Sequence, residues 1–308
     1  MRKITIGTRQ SQLALTQTNW VVEQLKKAGK GYEFEIKKIV TKGDKILDVT
    51  LSKVGGKGLF VKEIEQALLD GEIDIAVHSM KDMPAEMPEG LMIGATTTRE
   101  DVRDALITRD PQHTLATLPQ NARIGTSSLR RSAQLLHRRP DLEIVSIRGN
   151  VGTRINKIAE LDLDGIVLAC AGLNRLGQGD SITEALDPGD CLPAVGQGAL
   201  GIQCRSDDQE VLQLLSYINH LPTEMTVMAE RSFLRQLEGG CQVPIGAYGT
   251  WDGSAVTLTG MVANVDGSIV LKQTRTGTDP VALGVKVADL LKDEGAEEIL
   301  KQVKEITV

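Results

Sequence analysis

The chain has 308 residues, a length that predicts two or three domains rather than a single core. Aromatic residues make up only 3% of it, too few for a protein that binds nucleic acid by stacking bases. Its net charge of −6 would also repel a polyanion, so we expect no nucleic-acid partner.

The sequence also bears on where the protein works. The residues after Met1 are mostly polar and charged through Gln12 and contain no apolar run, unlike a secretory signal, and the longest apolar runs of the chain are too short to span a bilayer. The four cysteines form no CxxC pair, and the four histidines show no metal-ligand spacing. We therefore expect a cytoplasmic protein with reduced thiols, no membrane partner and no metal. Nothing in the sequence demands more than a monomer.

The N-terminal third alternates between predicted strands and helices. Strands are expected at residues 4–7, 32–40, 73–78 and 91–95, and helices at residues 11–27 and 60–69. Residues 42–57 contain glycine and lysine but few apolar side chains, which favours a mobile lid. An ordinary solvated loop is the alternative for this segment.

A second alternating block follows a charged turn at residues 99–101. Strands are expected at 123–125, 143–147 and 165–170, and helices at 127–139, 153–161 and 171–176. After a segment rich in glycine and proline, a strand at 198–205 and a helix at 209–218 follow. The alternation favours a mainly parallel sheet in each block. Because connections between elements are short, we expect domain one to comprise residues 1–98 plus 199–219, and domain two residues 103–193.

The sequence pattern changes after Pro222, which predicts a break between secondary-structure elements at this position. A helix is expected at 224–237, strands at 256–262 and 268–275, and helices at 281–291 and 296–303. The two strands flank Asp266-Gly267, a strong hairpin signal. Residues 222–308 therefore predict a small α+β domain. The expected fold class is α/β, with two doubly wound α/β domains followed by this small α+β domain.

One turn pattern occurs twice, once in each α/β block. Residues 6–11 (IGTRQS) and 124–128 (IGTSS), the latter followed by Arg130 and Arg131, each place Gly-Thr after a strand and before a helix. Such a turn offers backbone N–H groups, a helix dipole and hydroxyls to an anion. Plain helix capping is the alternative for either copy. Two copies, both at carboxyl ends of strands, favour a ligand bound between paired domains.

Positive charge is concentrated between residues 122 and 157. This stretch holds eight basic residues and only two acidic ones, Asp141 and Glu143, within a chain of negative net charge. A basic segment in an acidic chain indicates a local anionic ligand rather than a surface for a polyanion.

Two further segments could carry chemistry. Residues 78–82 (HSMKD) place a hydroxyl, an amine and a carboxylate after a buried strand, although a surface Lys-Asp pair is the alternative. Nearby arginines would keep Asp82 ionised. Cys241 follows two glycines in a predicted loop, where a ligand could reach it, although a lone cysteine is more often a small buried side chain. No histidine lies near it in sequence, so a Cys-His hydrolase is poorly supported.

In order and combination, these segments resemble the porphobilinogen deaminase (hydroxymethylbilane synthase) family over essentially the whole chain. The matching segments are GTRQS (7–11), KVGGKGLF (53–60), AVHSMKD (76–82), GTSSLRR (125–131), IRGNVGTR (147–154), LPAVGQGA (192–199) and EGGCQVPIG (238–246). The resemblance implies α/β domains of periplasmic-binding-protein type. It also implies a dipyrromethane cofactor held by a thioether to Cys241. On it the enzyme would condense four porphobilinogen units head to tail, with loss of ammonia. The hydroxymethylbilane released would pass to a downstream cyclising enzyme.

The resemblance also assigns roles to individual residues. Asp82 would be catalytic. The residues implied to bind the cofactor are Cys241, Asp82, Lys81, Ser79, Thr126, Ser127, Ser128, Arg130, Arg131, Arg148, Gly149 and Arg154. Those implied to bind substrate are Arg9, Ser11, Gln17, Arg148, Arg154 and Arg175, and the lid residues are Lys53, Lys57 and Phe60. Arginine suits this work because its planar guanidinium binds a carboxylate through two hydrogen bonds.

Two other classes of protein stay open on the residues alone. A two-domain carboxylate-binding protein of periplasmic-receptor type would fit the paired blocks, but it leaves the third domain and Cys241 without a use. An anion-responsive regulator would need a helix-turn-helix signal or a general basic surface, and neither is evident.

Overall fold

A computed structural model of the chain describes residues 2–28, 31–45, 61–238 and 243–307. The predicted lid residues Lys53, Lys57 and Phe60 and the predicted attachment site Cys241 lie outside these ranges and stay predictions. Within them, no helix is both long enough and apolar enough to cross a membrane.

The described elements follow the expected alternation. The N-terminal part contains β1 (Arg2–Thr8), α1 (Gln12–Ala28), β2 (Tyr32–Lys38), α2 (Lys42–Lys45), α3 (Lys62–Leu69), β3 (Ile75–Ser79) and β4 (Leu91–Thr96). The middle part contains β5 (Asp104–Thr108), β6 (Arg123–Gly125), α4 (Leu129–Arg138), β7 (Glu143–Val145), α5 (Val151–Glu160), β8 (Gly165–Ala169), α6 (Cys170–Arg175) and β9 (Glu184–Leu186). There follow β10 (Leu200–Arg205), α7 (Gln209–Ser216), α8 (Leu221–Gln236), β11 (Ile245–Trp251), β12 (Val256–Ala263), β13 (Val270–Gly277), α9 (Pro280–Asp293) and α10 (Ala296–Thr307).

The first sheet has the strand order β2-β1-β3-β10-β4. Strand β1 pairs in parallel with β2 and β3, whereas β10 pairs antiparallel with β3 and β4. Four strands therefore run in one direction and β10 runs against them. Ile4, Ile6, Ile75 and Ile202 are completely buried and form the centre of this core.

The second sheet repeats this arrangement with the order β7-β6-β8-β5-β9, in which β5 is the reversed strand. The chain crosses between the sheets twice, through residues 97–103 and 187–199. We call these the crossing segments. The expectation of mainly parallel sheets holds for four strands of five, but it missed the reversed strand in each.

The C-terminal part is an antiparallel sheet, β11-β12-β13, packed against α8, α9 and α10. Gly260 of β12 makes room for this packing, because a Cβ there would lie 2.6 Å from ring atoms of Phe233. Gly267 takes a φ of +73° in the turn between β12 and β13, as the hairpin signal predicted. Two α/β units and a small α+β unit together confirm the expected fold class.

Three strands, the short helix α2 and the start of one helix were not predicted from the sequence. All five residues of β5 are buried, so its sequence has no polar-apolar alternation to detect. Strand β9 has only three residues, and β11 was also missed. Pro222 does not separate α8 from the preceding element, contrary to the prediction of a break at this position. It lies in the first turn of that helix, where a missing N–H removes no intrahelical hydrogen bond.

Glu230 of α8 joins the C-terminal part to both crossing segments. Its buried carboxylate accepts hydrogen bonds from Arg99 Nη1 at 2.6 Å and Nη2 at 3.0 Å. It also accepts from the backbone N–H of Gly196 at 2.7 Å and of Gly249 at 2.8 Å. Because Arg99 and Gly196 belong to different crossing segments, one carboxylate holds both against the C-terminal sheet.

We expect Glu230→Gln to lower the free energy of unfolding by about 3–5 kcal/mol, because Arg99 would keep a buried charge without its partner. Asp162→Asn is the matched control. Asp162 pairs with Arg109 at 2.8 Å, but its side chain is 83% exposed, so the loss should stay below about 1 kcal/mol. Urea unfolding followed by circular dichroism measures both. Equal losses would contradict the role given to Glu230.

Candidate active site

The predicted site residues follow the carboxyl ends of strands in both sheets. Arg9 and Ser11 follow β1, residues 79–82 end and follow β3, residues 126–131 follow β6, Arg148 follows β7, and Arg175 ends α6 after β8. Open α/β sheets bind their ligands outside this edge.

Asp82 ends a short 3₁₀ turn, Met80–Asp82, directly after β3. Its side chain is exposed, and it makes no hydrogen bond or ion pair with any described residue. Ser79 at the start of this segment is held by buried Gln17, whose Nε2 donates to the Ser79 hydroxyl at 3.0 Å. The carboxylate of Asp82 is therefore open to a bound molecule, although the backbone before it is fixed.

The charged groups around Lys81 come from both α/β units, so the edges of the two sheets face each other. Burial lowers the pKa of Lys81 to about 8, Asp82 acts in the opposite direction, and Arg131 of α4 lowers the pKa further. Since Arg131 belongs to the second sheet's helix, the two units share one cleft. A carboxylate bound beside Lys81 would favour its ammonium form.

Both Gly-Thr turns cap the helices that follow them. The Ser11 hydroxyl accepts from the backbone N–H of Ala14 at 3.2 Å, and the Ser128 hydroxyl accepts from that of Arg131 at 3.4 Å. The Ser127 hydroxyl donates to the Ile147 carbonyl at 2.5 Å. The plain capping alternative is thus observed in both turns. It leaves the remaining N–H groups of the helix ends for a ligand.

Arg130 and Arg131 meet a partner that sequence reasoning missed, Asp104 at the start of β5. Arg130 Nη1 lies 2.7 Å from one Asp104 oxygen, and Arg131 Nη2 and Nε lie 2.7 and 3.0 Å from the other. Burial alone would raise the pKa of Asp104, but the two guanidinium groups hold it well below its usual range. The available signal was an acid heading the apolar run Ala105-Leu106-Ile107, since a buried charge requires a partner.

The basic segment is therefore better neutralised than its own sequence suggested. Besides Asp141 and Glu143, it is opposed by Asp104 and by Asp190, which pairs with Arg138 at 2.9 Å. Part of the donor capacity of Arg130 and Arg131 is used within the chain. Their predicted role in holding the cofactor stays a prediction.

Arg148 and Arg154 are the cations of the segment that lack a carboxylate partner among the described residues, together with Lys157. Arg154 Nε donates to the Gly149 carbonyl at 2.8 Å, and burial lowers the pKa of Arg154, with Arg131 acting in the same direction. Arg148 Nη1 is buried and has no hydrogen-bond partner in the described structure. A buried donor without an acceptor marks a place for an anionic ligand atom.

The remaining predicted substrate contacts lie on the same side. Arg175 Nη2 donates to the Gly198 carbonyl at 2.6 Å in the second crossing segment, and burial lowers the pKa of Arg175 to about 10. Arg9 is half-buried after β1. Gly149 adopts a φ of +124°, and a Cβ there would lie 2.6 Å from Thr153 Cγ2, so this turn requires glycine.

Comparison with known families decides the identity of the cleft. Residues 4–213 match the model described as "Porphobilinogen deaminase, dipyromethane cofactor binding domain", and residues 224–293 match "Porphobilinogen deaminase, C-terminal domain". The chain belongs to the porphobilinogen deaminase family. Membership in this family supports a transferase rather than the alternative of a two-domain carboxylate-binding protein. The cofactor of the family is dipyrromethane.

Relatives support the assignment over full length. The chain is 61% identical to porphobilinogen deaminase of Halalkalibacterium halodurans over 99% of this chain and 98% of that protein. It is 61% identical to that of Bacillus thuringiensis over 97% of each.

Among solved structures, an arginine-specific periplasmic binding protein of Salmonella typhimurium matches with 14% identity and a TM-score of 0.39, covering 71% of this chain and 92% of that one.

The described residues fit a dipyrromethane in charge. A dipyrromethane made from porphobilinogen carries acetate and propionate groups, and the cleft presents cations beyond the number of its carboxylate partners. The unpartnered Nη1 of Arg148 is the specific observation that supports the fit. Carboxylate acceptors would satisfy such donors through charge-assisted hydrogen bonds.

We expect Arg148→Leu to raise the KM for porphobilinogen about ten- to a hundredfold, the effect of losing one hydrogen bond to a charged group. Arg138→Leu is the matched control, because Arg138 pairs with Asp190 and its side chain is 55% exposed. Steady-state assays of ammonia release, normalised to cofactor content by intact mass, measure both. A larger effect in the Arg138 variant would contradict the role given to Arg148.

Proposed function

We propose that Asp82 is the catalytic group with which this enzyme deaminates porphobilinogen and condenses four units head to tail. The units would join a dipyrromethane attached to Cys241, and hydroxymethylbilane would be released. The observation that carries this proposal is an exposed carboxylate without an ion-pair partner among the described residues, on a fixed turn within a cleft of partly buried cations.

The cations of the cleft would hold the carboxylates of substrate and product. Arg148 and Arg154 are the strongest candidates, because neither forms an ion pair with a carboxylate among the described residues. Lys81 would join them, since its pKa of about 8 leaves it mostly protonated at neutral pH and a bound carboxylate would favour that form further. Arg9, after β1, and Arg175, after β8, would bind the carboxylates of the incoming unit.

Asp82 would oppose a difficulty that these cations create. Loss of ammonia from porphobilinogen leaves a cationic electrophile, which surrounding guanidinium groups destabilise. A preorganised carboxylate near the pyrrole N–H groups stabilises positive charge as it develops. Asp82 would also move protons during deamination and after formation of the carbon–carbon bond.

Cys241 would hold the cofactor without acting as a nucleophile in each turnover. When bound, a dipyrromethane supplies the pyrrole carbon to which the first unit is joined. The chain next to Cys241 supports this placement. At Gly246 a Cβ would lie 3.0 Å from the Leu192 carbonyl and 3.3 Å from Arg130 Cδ. A covalent tether would bring each unit to an already positioned partner.

We also propose that the enzyme works as a cytoplasmic monomer and passes its product to a downstream cyclising enzyme. The domain boundaries we propose are 1–98 plus 199–219, 103–193 and 222–308. The pairing of β10 with β3 and β4 supports the return of residues 199–219 to the first domain. The lid proposed at Lys53, Lys57 and Phe60 lies outside the described residues.

The attachment site has a direct test. Purified protein should be heavier than its sequence by one dipyrromethane, and the excess should map to Cys241 in a peptide digest. Cys241→Ser should lose both the added mass and the activity. The described cysteines, Cys170, Cys191 and Cys204, are free and buried, so their serine variants serve as controls. A modification found on any of these three would overturn the assignment.

The role of Asp82 is tested by two substitutions, one that removes the charge of its side chain and one that lengthens the side chain. Asp82→Asn keeps the shape and removes the charge, so the loaded enzyme should lose about a hundredfold or more in turnover, as expected for one preorganised electrostatic group. Asp82→Glu keeps the charge with one extra methylene and should retain more activity than Asn. Single-turnover ammonia release from cofactor-loaded protein is the measurement. Near-normal release from Asp82→Asn would make Asp82 a structural residue only.

A further inference from the structure

Three buried polar side chains are joined by hydrogen bonds in the first α/β unit, beside the end of the strand that leads into the turn of Asp82. Glu65 of α3, Gln203 of β10 and His78 of β3 are 6%, 0% and 5% exposed. His78 Nε2 lies 3.0 Å from Gln203 Oε1, and Gln203 Nε2 donates to Glu65 Oε1 at 3.1 Å. We call these residues the polar line. The proposed chemistry uses none of them.

The polar line has a definite direction. A carboxylate only accepts hydrogen bonds, so Gln203 must turn its amide nitrogen toward Glu65 and its oxygen toward His78. His78 Nε2 must then carry the proton and donate it. Burial lowers the pKa of His78 to about 4, although the hydrogen bond to Gln203 acts in the opposite direction, so the ring is neutral at physiological pH. One tautomer of His78 is thereby selected.

Strand β10 supports the turn directly as well. Gly201 lies opposite His78 in the antiparallel register, and Gln203 lies two residues further on the same face. A Cβ on Gly201 would lie 2.8 Å from Met83 Sδ and 2.9 Å from Met80 Cε. Glycine therefore lets the turn and its two flanking residues, 79 and 83, pack closely against β10 beside the hydrogen-bonded His78.

Burying this polar line is costly, and stability alone does not explain it. Each polar group loses its hydration on burial, and apolar side chains of similar volume often stabilise a core equally well. Hydrogen bonds differ from apolar contacts because they depend on angle as well as distance. The polar line therefore fixes the orientation of His78 and of the backbone around it.

That orientation matters because Asp82 has no other restraint on its carboxylate. No described residue hydrogen-bonds to it, so its position follows from the backbone of residues 79–83. Successive side chains of a strand point to opposite faces, so His78 on one face directs Ser79 toward Gln17 on the other. The next residue, Met80, begins the turn and donates its N–H to the Ala199 carbonyl at 3.0 Å.

We propose that Glu65, Gln203 and His78 are positioning residues, which fix the turn and thereby place the Asp82 carboxylate for reaction. This inference rests on the proposed function of Asp82. It assigns His78 no proton transfer and no contact with substrate. The position of the hydrogen-bond donor, rather than the charge of the ring, is what the reaction requires.

The test compares two substitutions of His78. Glutamine can place its amide nitrogen near the position of the imidazole Nε2 and donate to Gln203, whereas leucine cannot donate. We expect His78→Leu to lower kcat about ten- to a hundredfold with little change in KM, because a misplaced catalytic group has such an effect. His78→Gln should recover most of kcat. Intact mass gives the cofactor-loaded concentration, so that kcat refers to loaded molecules.

Two further variants separate positioning from stability. Ser232→Ala removes a buried hydrogen bond to the Val281 carbonyl, 2.8 Å long, in the C-terminal part, and it should lower Tm without changing kcat. The double variant His78→Leu/Gln203→Leu should be no slower than His78→Leu, because the residues act through one line.

Two results would overturn the inference. One is a His78→Leu enzyme with normal kcat and a lowered Tm, as for Ser232→Ala. The other is a His78→Gln enzyme as slow as His78→Leu. Failure of the proposed function is distinguishable, because Asp82→Asn would then release ammonia at a near-normal rate whatever the His78 variants do.

Discussion

The carboxylate of Asp104 lies between two guanidinium groups where the chain enters the second sheet, and the cleft is arranged around it. Arg130 and Arg131 are adjacent in sequence and buried, and without an anion they would repel each other in a medium that screens charge poorly. Gln197 of the other crossing segment donates to the same carboxylate at 3.0 Å. One buried charge therefore orients the arginine pair and joins the two crossing segments.

The cleft separates two tasks that both require a carboxylate. Asp104 is completely buried, and its oxygens pair with the guanidinium groups of Arg130 and Arg131. Its charge therefore neutralises charges of the protein rather than those of a ligand. Asp82 is exposed and unpaired among the described residues, so its charge is available to a bound molecule. A site built only to bind carboxylates would not need the second group. Its presence among cations favours a reaction in which positive charge develops.

How much of this the sequence predicts depends on whether the signal is local. The paired Gly-Thr turns, the hairpin at Asp266-Gly267 and most helices are local patterns, and they were found. Strand β5 was missed because full burial removes alternation, and the ion pair of Asp104 was missed because its partners lie 26 and 27 residues away. The reversed strands β5 and β10 depend on pairings between distant segments, which no short window contains. The two interpretations of the turns, capping and anion binding, do not exclude each other, because one hydroxyl satisfies only one of several N–H groups.

The C-terminal part connects to the cleft on both sides of the predicted attachment site. Before it, Arg231 of α8 donates to the Pro84 carbonyl at 2.7 Å, just beyond the turn of Asp82. Burial lowers the pKa of Arg231 to about 10, which leaves it charged at neutral pH. After it, Gly246 packs beside Arg130, and Gly267 lies so close to α4 that a Cβ would be 2.4 Å from the Ala133 carbonyl. The described residues on either side of the predicted attachment site thus contact the Asp82 turn, through Arg231, and the arginine helix, through Gly246 and Gly267. If the cofactor grows from Cys241 as proposed, the described residues that flank this cysteine link its attachment both to the turn of Asp82, the proposed catalytic group, and to the arginines.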